Sequence, residues 1–260
     1  MKTKELEISV VLPAYNEEDN VEQAVTTALS VLEGLFSDYE VVIVDDGSTD
    51  RTGEKADRLA RLQAGRVRVY HHRVNRGYGA ALRTGLFNAS GKLVFYTDAD
   101  NQFDLRELAD FLPLIKRYDI VVGYRQQRRD ALIRLFLSRG YNLLIRYLFG
   151  LHLKDIDCSF KLFRQAVLKQ LELESDDFFV DTELMVRARL GHFKIAQRPV
   201  KHLPRKRGTS SIRPGHIPAT FLSVMRMWRK IFYPRAGDLT AARQKRLEAE
   251  RLPCVFFPDG

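Results

Sequence analysis

The residues of this sequence best suited to chemistry are Asp98 and Asp100, one residue apart in Tyr96-Thr97-Asp98-Ala99-Asp100-Asn101-Gln102. The preceding Lys92-Leu93-Val94-Phe95 reads as a buried strand, so the pair emerges where a parallel strand ends and a loop begins. Side chains alternate along a strand with period two, which predicts both carboxylates on one face. Such a pair suits a hard divalent cation, which binds through one or two carboxylates together with substrate phosphates. The same residues also read as a polar turn capping a helix near Leu105 to Arg117, because Asp and Asn are ordinary turn and cap residues.

The elements that must position this pair follow from hydrophobic spacing. Leu6 to Leu12 reads as a strand ended by Pro13-Ala14-Tyr15-Asn16-Glu17-Glu18. Val21, Ala24, Val25, Ala28, Leu29 and Leu32 then recur at helical spacing, with Asn16 as the expected N-cap. Tyr39 to Val44 is an unbroken apolar strand that ends in Asp45-Asp46-Gly47-Ser48-Thr49-Asp50. Val67 to Tyr70 is a third strand, followed by Asn75-Arg76-Gly77-Tyr78-Gly79 and a helix to about Asn88. Alternating strands and helices predict an α/β fold, a mostly parallel sheet with helices on both faces. Right-handed crossovers bring residues near 13 to 17, 45 to 50, 75 to 79 and 98 to 102 to one cleft. Gly77-Tyr78-Gly79 lacks the third glycine of a dinucleotide fingerprint and follows the third strand, which argues against a nicotinamide dehydrogenase. Its glycines suit close approach of a backbone and a helix N-terminus to a ligand, or a plain tight turn.

Composition bounds the class. Hydrophobic residues make up 45% and charged residues 29%, as in globular proteins that bury a core. No stretch reaches the roughly 18 uncharged apolar residues of a membrane span. The start, Met1 to Glu7, lacks the apolar core of a signal peptide, so a cytoplasmic location is expected. Two cysteines, Cys158 and Cys254, make neither a disulfide framework nor a zinc site. Residues 196–260 carry 14 Lys and Arg against 4 Asp and Glu, while residues 1–195 carry 28 against 29. The whole net charge of +9 therefore lies in the tail, which implies an anionic partner, nucleic acid or membrane, or a solvated basic face.

Taken together, Val11 to Glu18, Val44 to Asp50, Asn75 to Gly79 and Asp98 to Gln102 resemble the family 2 glycosyltransferases, and among them the polyprenyl-phosphate sugar transferases typified by dolichol-phosphate mannose synthase. The resemblance covers roughly residues 6 to 212. It implies a Rossmann-like GT-A fold and inverting transfer of a hexose from a nucleotide-diphosphosugar donor to a polyprenyl (dolichyl-type) phosphate acceptor, with Mg²⁺ or Mn²⁺. By that resemblance Pro13, Tyr15, Glu17 and Asp46 hold base and ribose, with Gly77 and Gly79 also at the donor. Asp98 orients ribose or sugar, Asp100 and Gln102 hold the metal, and Arg125, Arg139 and Arg205 gather the two phosphates. The compact form without a span resembles the mannose synthases, so GDP-mannose is the expected donor and UDP-glucose its competitor.

The second half extends this reading. Asp119 to Gly123 is a fifth strand that brings Arg125 near the cleft. Leu132 to Phe149, with Arg134, Arg139 and Arg146 at helical intervals, is either a core helix with snorkelling arginines or an amphipathic element at a lipid surface. Arg139 and Asn142 match the family's Ser-Arg-x-x-Asn pattern. Asp155 to Phe163 resembles its Asp-x-x-(Cys/Ser)-Gly-Phe-(Arg/Lys) segment, with Ser159 in place of Gly. Glu183 is a general base or, as the commoner use, the first-turn acid of a helix. A lipid monophosphate is already a dianionic nucleophile near neutral pH and needs no strong base, whereas a sugar hydroxyl acceptor needs one. Lys201 to Ser211 resembles a mobile Arg-x-x-Gly-x-Ser-Lys loop, in which Arg205 takes the phosphate-gripping position; Ser211 stands where Lys is usual, so Arg207 or Arg213 must supply that charge. Ile217 to Phe232 is an amphipathic helix, too short to cross a bilayer. The expected organisation is a transferase domain over residues 1–212 and a basic, amphipathic, membrane-facing extension over 213–260. The partners are then the donor, the lipid acceptor and a membrane surface met peripherally on its cytosolic face, with no nucleic acid. Leu239 to Arg251 reads as a charged helix. The competing readings are transfer to a sugar hydroxyl, and a non-catalytic membrane-surface protein.

Overall fold

Apolar strands buried on both faces need helices on both sides, and the chain supplies them in alternation. The computed structural model describes residues 6–126, 132–205, 216–233 and 254–255, without the side chains of 132–139, 216–219 and 254–255. The order is β1 Ile8–Ala14, α1 Val21–Leu35, β2 Tyr39–Asp45, α2 Thr52–Leu62, β3 Val67–His71, α3 Tyr78–Asn88 and β4 Leu93–Thr97. A 3₁₀ turn Leu105–Asp110, α4 Leu112–Ile115, β5 Ile120–Arg125, α5 Leu132–Phe149, β6 Phe160–Arg164 and α6 Gln165–Leu168 follow. The described chain closes with α7 Val180–Leu190, β7 Ile195–Val200, α8 His216–Phe232 and β8 Cys254–Val255.

These strands form one sheet in the order β7-β5-β6-β4-β1-β2-β3-β8. β1 to β4 run parallel, and β6 lies antiparallel between β4 and β5, so β5 and β7 point the same way as β1. Alternate residues face two cores. Ile8, Val10 and Leu12 pack with α1 and the 3₁₀ turn, while Val11, Val42 and Val44 pack with α3, α5, α7 and α8.

The cleft begins where pairing stops. β1 pairs with β2 as far as Ala14 and Asp45, but with β4 only as far as Val11 and Tyr96. The chain leaves β1 toward β2 and β3, then crosses back to β4 on the other side, which is the switch point where open α/β sheets leave a crevice. Pro13 follows the last β4 pair, where a missing N–H interrupts no further ladder there.

Several expectations change. The helix foreseen over Leu105 to Arg117 is a 3₁₀ turn and a single α-turn, with Asp104 accepting from Arg106 N at 3.1 Å. Pro113 accounts for the break, since its ring excludes the carbonyl of a preceding turn. The N-cap of α1 is Asn20, not Asn16. β6, β7 and β8 were not foreseen: β6 carries a buried lysine, and β7 is a half-buried edge strand containing a proline. The expected helix Leu239 to Arg251 lies outside the described residues, and Cys254–Val255 pairs with the far edge of β3.

α8 divides its apolar side chains. Val224 and Met227 are buried in the second core, while Phe221, Leu222, Met225 and Phe232 are exposed. α5 does the same, with Ile145 and Phe149 buried and Leu143 and Tyr147 exposed. No described helix is long and apolar enough to cross a membrane.

Gly79 sits where α3 starts against the 175–177 backbone, and a Cβ there would lie 2.5 Å from Asp177 O and 2.6 Å from Ser175 O. Gly79→Ala is expected to cost about 1–3 kcal/mol through this overpacking, read as a lower midpoint in urea unfolding. A midpoint equal to that of the parent would show that the 175–177 segment yields without loss.

Candidate active site

The loops after β1 and β2 are joined by side-chain bonds to backbone. Asn16 takes the left-handed conformation (φ 54°) that asparagine tolerates, and its Oδ1 accepts from Thr49 N at 2.9 Å. Asn16 N donates to Ser48 Oγ, and Glu17 N to Thr52 Oγ1. Pro13 is buried and Tyr15 half-buried at this edge.

Asp46 serves the next loop. It is buried, and Oδ1 meets His72 Nδ1 and accepts from Arg76 N, while Oδ2 accepts from Gly77 N, each amide bond at 2.9 Å. The structure thus uses Asp46, expected at base and ribose, to hold the segment entering α3. Gly77 (φ 98°) and Gly79, expected beside the donor, lie against the 175–177 backbone, where Asp176 O accepts from Gly79 N at 3.0 Å. Glu183 in turn secures that segment. Its carboxylate is buried and accepts from Glu174 N, Ser175 N and Arg187 Nε. Among the described residues these donors belong to the 174–175 backbone and to α7 itself.

β4 ends at Thr97, so the pleat does not carry through to the two key carboxylates, and they have separate partners. Asp98 Oδ2 accepts from Ser159 Oγ at 2.5 Å. Ser159, which departs from the family glycine, is absent from the positive-φ residues and contributes its hydroxyl instead. Asp98 Oδ1 and the Tyr78 hydroxyl are buried with no hydrogen-bond partner among the described residues. Burial, and then the charge of Asp100, push the Asp98 carboxyl above the ordinary carboxylate range. Burial also raises Asp100, although Gln102 N donates to its Oδ1 at 3.1 Å. Two partly desolvated carboxylates and an orphaned oxygen mark a place short of positive charge, which fits a divalent cation. Among the described residues no three His, Cys, Asp or Glu side chains converge as a cage, so remaining ligands would come from a diphosphate.

Gln102 turns toward the segment after β7. Its Nε2 donates to Leu203 O at 3.1 Å and its carbonyl accepts from Leu203 N at 2.8 Å. That segment delivers Arg205, which pairs with Glu17 and stands 3.9 Å from Asp100. Arg125 ends β5 at the same edge, but Asp155 holds its guanidinium through two bonds of 2.7 and 2.8 Å. Arg139 falls on α5 with its side chain outside the described residues, as do Arg207, Ser211 and Arg213. The structure brings together Glu17, Asp100 and Gln102, from loops the crossovers were expected to gather, and Arg205, expected from the family resemblance; the partners that occupy Asp46 and Arg125 were not foreseen.

A buried ion network behind Asp98 has no counterpart in the sequence reading. Lys161 on β6 is fully buried and bonds the Tyr96 hydroxyl at 2.7 Å and Asp181 in the first turn of α7. The Tyr96 hydroxyl donates to Asp181 as well. A lysine inside an otherwise apolar strand was the available signal, because lysine is almost never fully buried unless paired.

The mixed, mostly parallel sheet with its switch-point cleft and acidic strand end has the GT-A architecture of nucleotide-sugar transferases. The chain belongs to glycosyl transferase family 2, whose profile matches residues 9–172. It is 35% identical over 210 residues to glycosyltransferase AglD of Haloferax volcanii, covering 77% of this chain and 34% of that protein. It is 30% identical over 234 residues to dodecaprenyl-phosphate galacturonate synthase of Rhizobium johnstonii, covering 88% and 68%. With dolichyl-phosphate beta-glucosyltransferase of Saccharomyces cerevisiae it shares 28% over 224 residues, covering 76% and 67%. The chain thus spans about a third of AglD and about two thirds of the other two. Among solved structures, glucosyl-3-phosphoglycerate synthase from Mycobacterium tuberculosis with phosphoglyceric acid superposes with a TM-score of 0.62 at 23% identity, covering 86% of this chain and 79% of that one.

Removing Lys161 leaves Asp181 buried without its cation. Lys161→Met is expected to cost about 3–5 kcal/mol, and Lys161→Met with Asp181→Asn to recover most of that in a denaturation cycle. A nearly neutral single variant would refute the counter-ion role. His71, bonded to Asp45 and Asp57, is pushed up to about 9, chiefly by its hydrogen bond to Asp45. Its contribution to stability is complete below the ordinary 6.5 and is lost as pH rises through about 9. His71→Gln should flatten melting temperature against pH over that window, and an unchanged slope would assign it elsewhere.

Proposed function

We propose that this chain transfers a hexose from a nucleotide diphosphosugar to a polyprenyl phosphate with inversion at the anomeric carbon. The observation that carries the lipid acceptor is the surface shared by α5 and α8. These helices pack together and expose Leu143, Tyr147, Phe221, Leu222, Met225 and Phe232, with exposed Arg146 and Arg226 among them. An apolar strip with interleaved arginines suits acyl chains bordered by anionic headgroups. Two relatives named above carry polyprenyl or dolichyl phosphate in their names, which agrees. In this reading residues 1–212 form the transferase unit and 213–260 its membrane-facing extension, docked through Val224 and Met227.

The engagement of Glu183 favours a phosphate acceptor over a sugar hydroxyl. A general base must reach the proton it takes, and the Glu183 carboxylate is occupied by two backbone amides and Arg187. Asp181 is likewise committed to Lys161 and Tyr96. A phosphate dianion needs positioning instead of deprotonation. Asp100, with Gln102 beside it, would hold Mg²⁺ or Mn²⁺, and the cation would supply charge neutralisation of the leaving diphosphate. Asp98, steadied by Ser159, is placed to orient the sugar or ribose, between Tyr78 and Asp100. Arg205 is the cation nearest Asp100 in the described cleft and serves the diphosphate; Arg125 acts on the acceptor side together with Asp155, the side to which the resemblance also assigns Arg139. Pro13 and Tyr15 line the base and ribose side.

GDP-mannose is the donor expected from the sequence, while the relatives' names include glucose and galacturonate, so the donors must be compared directly. Purified protein incubated with polyprenyl phosphate, Mg²⁺ or Mn²⁺, and either GDP-mannose or UDP-glucose is expected to yield a hexosyl-phosphoryl lipid from one donor, detected by mass spectrometry of the lipid extract. Nucleotide binding without any glycolipid from either donor would redirect the assignment to a hydroxyl acceptor.

A further inference from the structure

Glu17 leaves β1 at the cleft edge with both carboxylate oxygens engaged. Oε2 accepts from Asn20 Nδ2 at 2.6 Å, and Oε1 accepts from Arg205 Nη2. Arg205 Nη1 lies 3.9 Å from Asp100 Oδ2. The backbone carrying Arg205 is itself fixed. Leu203 makes two bonds to Gln102, and His202 bridges Phe103 and stands edge-on to its ring at 5.2 Å between centroids. A guanidinium is therefore held between two carboxylates whose side chains are each 12% exposed.

The arrangement answers a charge problem. Two poorly solvated carboxylates without a cation repel each other and lose hydration, and a guanidinium placed between them offsets both effects. A nucleoside diphosphate arriving with its divalent cation reverses the balance. A metal held by Asp100 would neutralise that carboxylate, and a phosphate would offer the planar guanidinium of Arg205 two oxygens for a bidentate pair. Glu17 then competes with the diphosphate for the same guanidinium.

We propose that Glu17 is a positioning residue that holds Arg205 beside Asp100 as a stand-in cation until a metal–nucleoside diphosphate exchanges it away. This deepens the Asp100 cation reading above and rests on it, and it reassigns Glu17 from a donor contact to the partner of Arg205. Metal and nucleotide are thereby coupled, because each removes one of the two carboxylates that retain Arg205.

The test uses Mn²⁺ alone, followed by electron paramagnetic resonance, and GDP or UDP with Mn²⁺, followed by calorimetry, on the full chain. Arg205→Gln is expected to bind Mn²⁺ alone about 5- to 10-fold more tightly, since a competing cation is gone, and to bind either nucleoside diphosphate more weakly. Glu17→Gln is expected to bind a nucleoside diphosphate more tightly than the parent. A Glu17→Gln variant that keeps its melting temperature but binds the diphosphate more weakly overturns the proposal in favour of a direct donor contact. Mn²⁺ binding that depends on Asp100 but is unchanged in Arg205→Gln overturns the proposal alone. Mn²⁺ binding indifferent to Asp100→Asn overturns the cation reading and the proposal with it.

Discussion

The cleft depends on one constraint, the parting of β1 from β4 beyond Val11 and Tyr96 while β1 stays paired with β2 to Ala14 and Asp45. A sheet that continued to pair would bury the backbone of residues 97 to 100 in a ladder and leave Asp98 no route to a ligand. Because the strands part, the edge after β4 is finished by side chains: Ser159 on Asp98, Gln102 on Leu203, Arg205 on Glu17. The antiparallel entry of β6 matters for the same reason. Only a strand starting at this edge places Ser159 beside Asp98 and, two residues further in, Lys161 beneath Tyr96.

Crowding carboxylates at one sheet edge is unfavourable unless each is answered locally, and here most have their own partner. Asp46 has His72 and two amides, Asp155 has Arg125, Asp181 has Lys161, and Asp100 has Arg205. Asp98 alone among these has a single neutral hydroxyl, that of Ser159, as its hydrogen-bond donor, with its other oxygen unpartnered among the described residues. Burial and the nearby Asp100 charge then hold its carboxyl high. A cation bound there would complete this pattern.

The legible and illegible parts of the molecule divide along physical lines. β1 to β5 and the cleft loops were readable because doubly buried strands give unbroken apolar runs and helices repeat at 3.6. β6 and β7 were not, since a strand with a buried lysine or a half-exposed edge has no such signature. The acidic pair after β4 was readable from residue type and spacing, but which side chains hold Asp46, Arg125 and Glu183 was not. For Asp46 and Arg125 the partners lie 31 and 30 residues away, brought close by the fold, and for Glu183 two of them are backbone amides of an irregular segment that carries no periodic signal. Gly77 and Gly79 show the same limit. Their need for space was visible, yet the backbone that fills it comes from residues 175–177.

The basic second half also changes meaning once its partners are known. Lys230 meets Glu174 and Arg205 meets Glu17, so part of the excess charge is directed inward to the acidic cleft and its supporting loop, while Arg198 pairs with Asp110 at the surface. Net charge alone would have assigned all of it to an external anion. Cations still outward among the described residues of this half include Lys154, Arg189, Lys194 and Lys201, while Arg146 and Arg226 differ in being set among the exposed Leu143, Tyr147, Phe221 and Met225. A nucleic acid would favour a dense, polar track of cations along a groove. Sparse arginines within an apolar strip favour a surface where the hydrocarbon carries the contact and the charge sets its depth. The same helices that present this strip contribute Tyr141, bonded to Thr182 at 2.7 Å, and Ser223, bonded to Asp177. The paired α5 and α8 are thus tied by hydrogen bonds to the start of α7 and to the loop on which α3 rests.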